Sequence, residues 1–138
     1  MGTVAYDSSE NFNHGLIYGT PLMQQTGAEN KAYYFDAVDD FVAVTDFDME
    51  PDLTVSFWFK KSTTGNNEHI FSRGNDGDAN SINVIFDDAT QSLRTYINGS
   101  QTILNITGAL YTGLLDNQRH FYSLTIADDE SVPGKKLC

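Results

Sequence analysis

The sequence holds little that could cross-link the chain or cross a membrane. It has one cysteine, three prolines and one tryptophan among 138 residues. The cysteine is Cys138, so no disulfide can form within the chain and a cystine framework is excluded. No apolar run approaches the roughly 18 residues of a membrane helix, so no membrane insertion is expected. The apolar spacing typical of amphipathic helices is nearly absent, which argues against a helical protein.

Basic residues are also scarce, with 8 Lys and Arg against 19 Asp and Glu and a net charge of −11. A chain this acidic repels phosphate backbones, so no nucleic-acid partner is expected. Cation binding, a saline environment and plain solubility all fit the acidity. The first ten residues have neither the basic nor the apolar region of a signal peptide. We therefore expect a cytosolic or phage-like protein, or the excised part of a longer secreted one.

The sequence does have 9 Phe and 7 Tyr, set in short runs between turn signals. In the run 53–60, Phe57 and Phe59 belong to one alternating set and Trp58 to the other. This period of two predicts a strand with one face on a core, and Trp58 should cover the second face of a central strand. Ten strands are predicted, at 3–6, 13–18, 31–36, 41–44, 53–60, 70–71, 81–86, 93–98, 101–106 and 120–127. A two-residue turn at Asn98-Gly99 should join two of them. Such spacing predicts one antiparallel sandwich domain over 1–138.

Six segments follow one another as recognisable motifs. They are DSSENFNHG at 7–15, FDAVDDFVAV at 35–44, LTVSFWFK at 53–60, IFSRGN at 70–75, LRTYINGS at 93–100 and QRHFYSLTIADD at 118–129. In this order they resemble the laminin-G-like branch of the concanavalin A-like lectin/glucanase superfamily. Glu10, Phe12 and Ala37 stand where the family motifs have glycine. The resemblance implies an all-β, antiparallel jelly-roll sandwich, a fold that hosts lectins, adhesion modules, glycosidases and spacers.

The resemblance also predicts an incomplete sandwich. In the family, the segment that resembles 134–137 continues into further strands, whereas this chain ends at Cys138. A jelly roll without its last strands would leave an apolar sheet edge. We therefore expect a homodimer, another chain that completes the sheet, or a piece of a longer protein.

The loop after residue 74 is one candidate ligand site. Asp76, Asp78 and Asn80 alternate, and Asp87 follows eleven residues after Asp76, as oxygen ligands do in an EF-hand. Ser81 occupies the position of the EF-hand glycine and the flanks are strands, so an EF-hand is rejected. A different calcium loop and a polar hairpin turn both remain open. The predicted ligand-binding residues are Asn75, Asp76, Asp78 and Asn80.

Asp7 opens the first family motif and is the candidate metal ligand. By the resemblance, it would hold a structural Ca²⁺ together with Asn13 or a nearby carbonyl. The alternative is an Asx-turn, because Asp and Asn side chains readily bond their own backbone.

Catalytic constellations are weak. Asp46, Asp48 and Glu50 could share a strand face as a glycosidase pair, but Met49 and Pro51 interrupt the segment. The spacing also differs from the Glu-x-Asp-x-x-Glu of the family's enzymes. The three histidines, His14, His69 and His120, lie in separate segments without zinc-ligand spacing, and His120 is expected to pack.

The sequence thus predicts a non-catalytic module that binds glycans or protein surfaces, extracellular or virion-associated, with Ca²⁺ as its only suggested cofactor. The alternative is a structural or assembly protein, such as a virion decoration or appendage subunit. A glycoside hydrolase is the least favoured class, because no correctly spaced carboxylate pair is present.

Overall fold

The computed structural model describes residues 4–45, 53–62, 65, 67–74, 78, 81–97, 101–128 and 136–137. This part of the chain is mostly strand with one six-residue helix, which confirms the predicted all-β class. The chain folds as two compact units, residues 1–53 and 54–138. Among the described residues, no helix has the length and apolarity to span a bilayer.

The described part of the first unit contains five short strands in two groups. They are β1 (Val4–Ala5), β2 (Gly15–Tyr18), β3 (Leu22–Thr26), β4 (Lys31–Tyr34) and β5 (Phe41–Val44). One sheet has the order β1-β2-β5, and β3 pairs with β4 as a hairpin. All these pairs are antiparallel. Along β2 the buried residues Gly15 and Ile17 alternate with exposed Leu16 and Tyr18, as the pleat requires.

One carboxylate fixes the loops of this unit. Asp40 Oδ1 accepts the Thr20 amide at 2.6 Å, and Asp40 Oδ2 accepts the Asp36 amide at 3.0 Å. The approach is possible because residue 19 is glycine with φ +72°, where a Cβ would collide with the Asp40 carboxylate. The loop after β2 is therefore bonded to the loop before β5.

The second unit contains the remaining strands and the helix. They are β6 (Leu53–Lys60), β7 (Glu68–Arg73), β8 (Ile82–Asp87), β9 (Ser92–Ile97), β10 (Gln101–Thr107), α1 (Gly108–Gly113), β11 (Arg119–Asp128) and β12 (Lys136–Leu137). The strands form a four-stranded sheet, β10-β9-β8-β7, and a three-stranded sheet, β12-β11-β6. The β9–β10 hairpin is confirmed, but Ile97 pairs with Gln101. Three residues, 98–100, thus separate the paired positions, one more than predicted.

The core of the second unit joins the inner faces of its two sheets. Buried Val84, Phe86 and Leu93 from the four-stranded sheet meet Tyr122 of β11 and Tyr111 of α1. The Thr95 and Tyr122 hydroxyls share a buried hydrogen bond of 2.6 Å. This is a sandwich-like arrangement of two layers over one apolar core.

Strand β6 has the alternation that its sequence predicts. Its odd-numbered residues are half-buried, with Phe57 and Phe59 packed against the core, and its even-numbered residues are exposed. The prediction of a central strand is wrong within the described residues, because β6 has β11 as its one sheet neighbour. Trp58 lies on the second, outward face of β6, as predicted, and is 52 % exposed. Strand β6 therefore has large side chains on both faces because Trp58 lies on the face that points away from the core.

Candidate functional site

The outward face of β6 and β11 carries an orderly set of exposed side chains. Thr54 and Thr125 hydroxyls lie 3.1 Å apart, and the Trp58 and Phe121 ring centroids lie 5.2 Å apart. These two contacts fit an antiparallel pairing of β6 with β11, in which each step forward along β6 is matched by one step back along β11. The same register places four pairs opposite one another on this face. They are Thr54 with Thr125, Ser56 with Ser123, Trp58 with Phe121, and Lys60 with Arg119; we call them the outer ladder.

The aromatic pair is the most exposed apolar feature of the outer ladder. Trp58 is 52 % exposed, Phe121 is 57 % exposed, and their ring planes are inclined by 53°. By contrast, Phe57 on the inner face stacks on Tyr122 at 5.0 Å, with planes inclined by only 14°. Exposed aromatic patches that border polar residues are typical of binding surfaces. The ladder spans roughly 20 Å at the usual strand rise, which is longer than one sugar ring.

The two ends of the outer ladder differ in chemistry. Beyond the rings on one side lie four hydroxyls, and on the other side lie Lys60 and Arg119, all exposed. Lys60 has no ion pair among the described residues, whereas its neighbour Lys61 pairs with Glu68. The face therefore combines apolar rings, hydrogen-bonding groups and positive charge.

A second polar cluster lies on the four-stranded sheet, on the face opposite the core. Arg94 bridges Asp87 at 3.0 Å, donates to the Tyr96 hydroxyl at 2.7 Å and donates to Ser92 Oγ at 3.0 Å. These groups satisfy one another. Asp87, which has the spacing of the rejected EF-hand pattern, thus forms an ion pair across the β8–β9 ladder.

Beside this cluster, Asn83 is almost fully buried. Its Oδ1 accepts the Ser72 hydroxyl at 2.6 Å, and within the described residues its Nδ2 has no hydrogen-bond partner. Asn83 is 1 % exposed, so a ligand in solution has little access to it. The outer ladder is therefore the more accessible of the two polar surfaces.

Asp7 and Asn13, the predicted metal ligands, are brought together by the structure. Asp7 Oδ1 accepts the Ser9 amide at 2.8 Å, and Oδ2 accepts the Ser9 hydroxyl at 2.6 Å and the Asn13 amide at 2.9 Å. The Ser9 hydroxyl, followed by the Ser9 and Asn13 amides, lowers the pKa of the Asp7 carboxyl. The Asx-turn of the sequence alternative is present, and both carboxylate oxygens already accept hydrogen bonds.

The predicted ligand loop is described only in part. Asn75, Asp76 and Asn80 lie outside the described residues, as do Asp46, Asp48 and Glu50 of the hydrolase hypothesis. Asp78 is exposed, and its carbonyl accepts the Ser81 amide at 3.3 Å.

A further acidic group lies between β4 and β5. Carboxylate oxygens of Asp36, Asp39 and Asp40 all lie within 4.8 Å of one another. Asp36 accepts the Val38 amide at 2.9 Å, and Asp40 holds the two amides described above. These bonds give the group a turn-forming role, typical of Asp. In the sequence, these three residues belong to the motif at 35–44.

His120 lies at the start of β11, where it contacts both a core ring and a loop acid. Its ring lies 5.6 Å from that of Phe59, and its Nε2 lies 3.0 Å from Asp116 Oδ1. Its hydrogen bond, with that of the Gln118 amide, lowers the pKa of the Asp116 carboxyl. The predicted packing role is confirmed, with an additional polar contact.

A scan against known protein families and searches of curated proteins and solved structures find no match to this chain. The function of the chain is therefore inferred from the geometry of the described residues.

Proposed function

We propose that this protein is a non-catalytic recognition module that binds carbohydrate through the outer ladder, in an extracellular or virion-associated setting. The observation that carries the proposal is the exposed Trp58–Phe121 pair, whose centroids lie 5.2 Å apart on a sheet face rich in hydroxyls. The single jelly-roll domain over 1–138 and the laminin-G-like family are part of the same proposal.

The chemistry of the aromatic pair suits a sugar. One face of a pyranose ring presents several C–H groups, which are apolar and weakly positive. The face of an aromatic ring is weakly negative, so the two attract while apolar area is buried. The ladder hydroxyls of Ser56 and Ser123 flank the rings and can both donate and accept hydrogen bonds. A sugar that lies along the ladder would thus place its apolar C–H face on the aromatic rings and its hydroxyl groups beside the serine hydroxyls.

Two backbone angles support the family resemblance. Phe12 and Ala37 stand where the family motifs have glycine, and their φ angles are +55° and +64°. Such angles favour glycine strongly, because a Cβ crowds the adjacent carbonyl. The resemblance would explain both angles as a backbone retained after its glycines were replaced.

Calcium enters the proposal as an auxiliary group at the loop of Asp7 and Asn13. The acceptor oxygens of Asp7 already close this loop, so an ion would have to share them or use nearby carbonyls. Loss of glycan binding on chelation would support this part of the proposal.

A glycan panel tests the main proposal. The wild-type chain, Trp58→Ala and Phe121→Ala are compared with Tyr34→Ala, a matched exposed aromatic on β4. Each is assayed with calcium and with chelator. We expect the two ladder variants to weaken binding about tenfold, because each removes an aromatic ring on which the sugar would lie. Equal losses in all three variants, or no glycan bound by the wild type, would refute the proposal.

The assembly role is the second candidate, favoured by exposed apolar area in the first unit. Tyr18 of β2 and Phe41 of β5 stack at 4.5 Å with nearly parallel rings, yet they are 45 % and 51 % exposed. Within the described residues β6 also has one open side, and open strand edges pair readily with other chains. A subunit of a larger assembly, or a homodimer, would cover such surfaces. Light scattering across a concentration series, with Phe41→Ser against Tyr34→Ser, separates this role from a monomeric lectin.

A further inference from the structure

One face of the sheet β1-β2-β5 is apolar and largely exposed. The register places Val4, Leu16 and Ala43 in one row across the three strands. It places Tyr18 opposite Phe41 in the next row of the same face. We call these five residues the apolar face; none of them carries a charge. Large apolar side chains that are exposed together are typical of interaction surfaces.

Carboxylates lie at one end of the apolar face. Asp40 immediately precedes Phe41 and accepts the amide of Thr20, which follows the end of β2. Carboxylate oxygens of Asp36 and Asp39 lie within 4.8 Å of that of Asp40. Within the described residues, none of the three carboxylates forms an ion pair with a basic side chain. This end of the face is therefore negatively charged.

The opposite end of the apolar face is acidic as well. Asp7 follows β1 and accepts the amide of Asn13, which precedes β2, and Glu10 is exposed in the same loop. In the described part of the chain, neither carboxylate pairs with a lysine or arginine. At the usual strand rise, the two acidic ends are roughly 15–20 Å apart along β2.

We infer that the apolar face docks an extended segment of another protein, with apolar residues at its centre and a basic residue at each end. This inference is independent of the proposed carbohydrate recognition and gives the assembly role a class of partner. A segment of about six or seven extended residues spans the distance between the acidic ends. A lysine or arginine can lay its apolar stem on the rings of Tyr18 and Phe41 while its charged head meets the carboxylates.

A second copy of the chain fits the apolar face less well. About half of each of the side chains of Leu16, Tyr18 and Phe41 is exposed, so together they offer roughly 300 Å² to a partner. A stable dimer buries roughly 800 Å² on each partner. Because both ends of the face are acidic, a second copy would bring carboxylates against carboxylates in either orientation, and like charges repel. The area instead matches the few apolar side chains on one side of a short extended segment.

The test uses three capped heptapeptides that share their apolar side chains. One is acetyl-Lys-Leu-Ser-Leu-Ser-Leu-Lys-amide, and its counterparts have glutamine or glutamate at both ends. Titration calorimetry measures their binding to the full chain in low and in high salt. One variant is Phe41→Ser, and a double variant, Glu10→Gln with Asp39→Asn, removes one exposed carboxylate at each end. The matched controls are Tyr34→Ser and Glu29→Gln, two exposed residues away from the apolar face.

In low salt, we expect the lysine peptide to bind about tenfold more tightly than the glutamate peptide, with the glutamine peptide between them. High salt should remove this difference by screening the charges. Phe41→Ser should weaken binding of all three peptides, the double variant should abolish the preference for lysine, and both controls should behave as the wild type.

Three results would overturn the inference. They are no binding of the lysine peptide, equal binding of the three peptides in low salt, and a preference that persists in the double variant. Self-association of the wild type that Phe41→Ser removes would also overturn it, because the face would then belong to a second copy. The glycan panel tests the outer ladder separately, so each of these results leaves the proposed carbohydrate recognition intact.

Discussion

Tyr111 donates its hydroxyl to Asp88 Oδ1 at 2.9 Å, and the other oxygen of Asp88 accepts the Gly65 amide at 2.6 Å. Asp88 also donates its own amide to Asn67 Oδ1 at 3.2 Å. One residue in the β8–β9 turn therefore joins helix α1 to the loop before β7. Because Tyr111 is 2 % exposed, its hydroxyl has this carboxylate in place of water.

This bond predicts an alkaline loss of stability. Burial, followed by the Asp88 carboxylate, raises the pKa of Tyr111 to about 12 from its ordinary value of 10.0. The unfolded chain therefore releases this proton first, so the stabilisation is complete below pH 10 and falls as the pH rises toward 12. The total effect is on the order of 2–3 kcal/mol.

Denaturant unfolding between pH 8 and 12 measures this effect. Tyr111→Phe should be less stable than the wild type by about 1–2 kcal/mol at pH 8, because the hydrogen bond is lost. Above pH 10 the difference in unfolding free energy between the wild type and the variant should narrow, because the variant has no tyrosine hydroxyl at this position to lose its proton. A gap that stays constant to pH 12 would contradict the assigned environment of Tyr111.

A second prediction concerns the acid titration of the Asp7 loop. The pKa of Asp7 lies below its ordinary value of 3.8 chiefly because Ser9 donates a hydroxyl bond to the carboxylate. The hydrogen bonds to the ionised Asp7 carboxylate should therefore stabilise the loop fully above pH 3.8. This stabilisation should be lost as the pH falls through the lowered pKa. Amide NMR shifts of Ser9 and Asn13 should titrate with that midpoint. Ser9→Ala should raise the midpoint toward 3.8, whereas Ser8→Ala, one residue away, should leave it unchanged. A wild-type midpoint at or above 3.8 would argue against this loop geometry.

Strand positions followed well from the sequence, because period-two alternation depends only on local side chains. The strands at 41–44 and 53–60 have their predicted bounds, and each of the other eight predictions overlaps an observed strand. Strand β3 was missed because Leu22–Thr26 has adjacent apolar residues and adjacent glutamines rather than alternation. Helix α1 was missed because its six residues, Gly108–Gly113, are too few for a helical period to show.

The candidate site was less predictable than the strands. Trp58 and Phe121 are 63 positions apart in the sequence, and only the register of β6 on β11 brings them together. The sequence indicated that Trp58 lies on the other face of β6 from Phe57 and Phe59. It did not indicate which residue of another strand would lie beside Trp58. Asp7 and Asn13 were predictable as neighbours, because the contact is local and Asx-turns recur at such spacing.

The backbone at Ala37 provides a third prediction. With φ at +64°, this residue lies in the left-handed region, which costs an L-residue roughly 1–2 kcal/mol. Ala37→Gly should relieve that cost, although glycine also raises the conformational entropy of the unfolded chain and so offsets part of the gain. The free energy of unfolding should therefore increase by about 0.5–1 kcal/mol. Ala32→Gly, in strand β4, is the matched control and should lower stability by a similar amount. Thermal unfolding of the two variants should therefore shift in opposite directions. A shift of both variants to lower temperature would show that residue 37 is not strained.

The last prediction compares two adjacent aromatic residues of β6 that lie on opposite faces. Phe57 packs on the core and stacks on Tyr122, so Phe57→Ala should lower the free energy of unfolding by about 2–3 kcal/mol. Trp58→Ala removes a larger side chain, but one that is 52 % exposed, and should cost about 1 kcal/mol through its contact with Phe121. Urea unfolding of both variants measures the difference, with Ser56→Ala as a small exposed control. A one-residue slip of β6 would exchange the two faces and reverse the order, so a larger loss for Trp58→Ala would remove the outer ladder as a binding face.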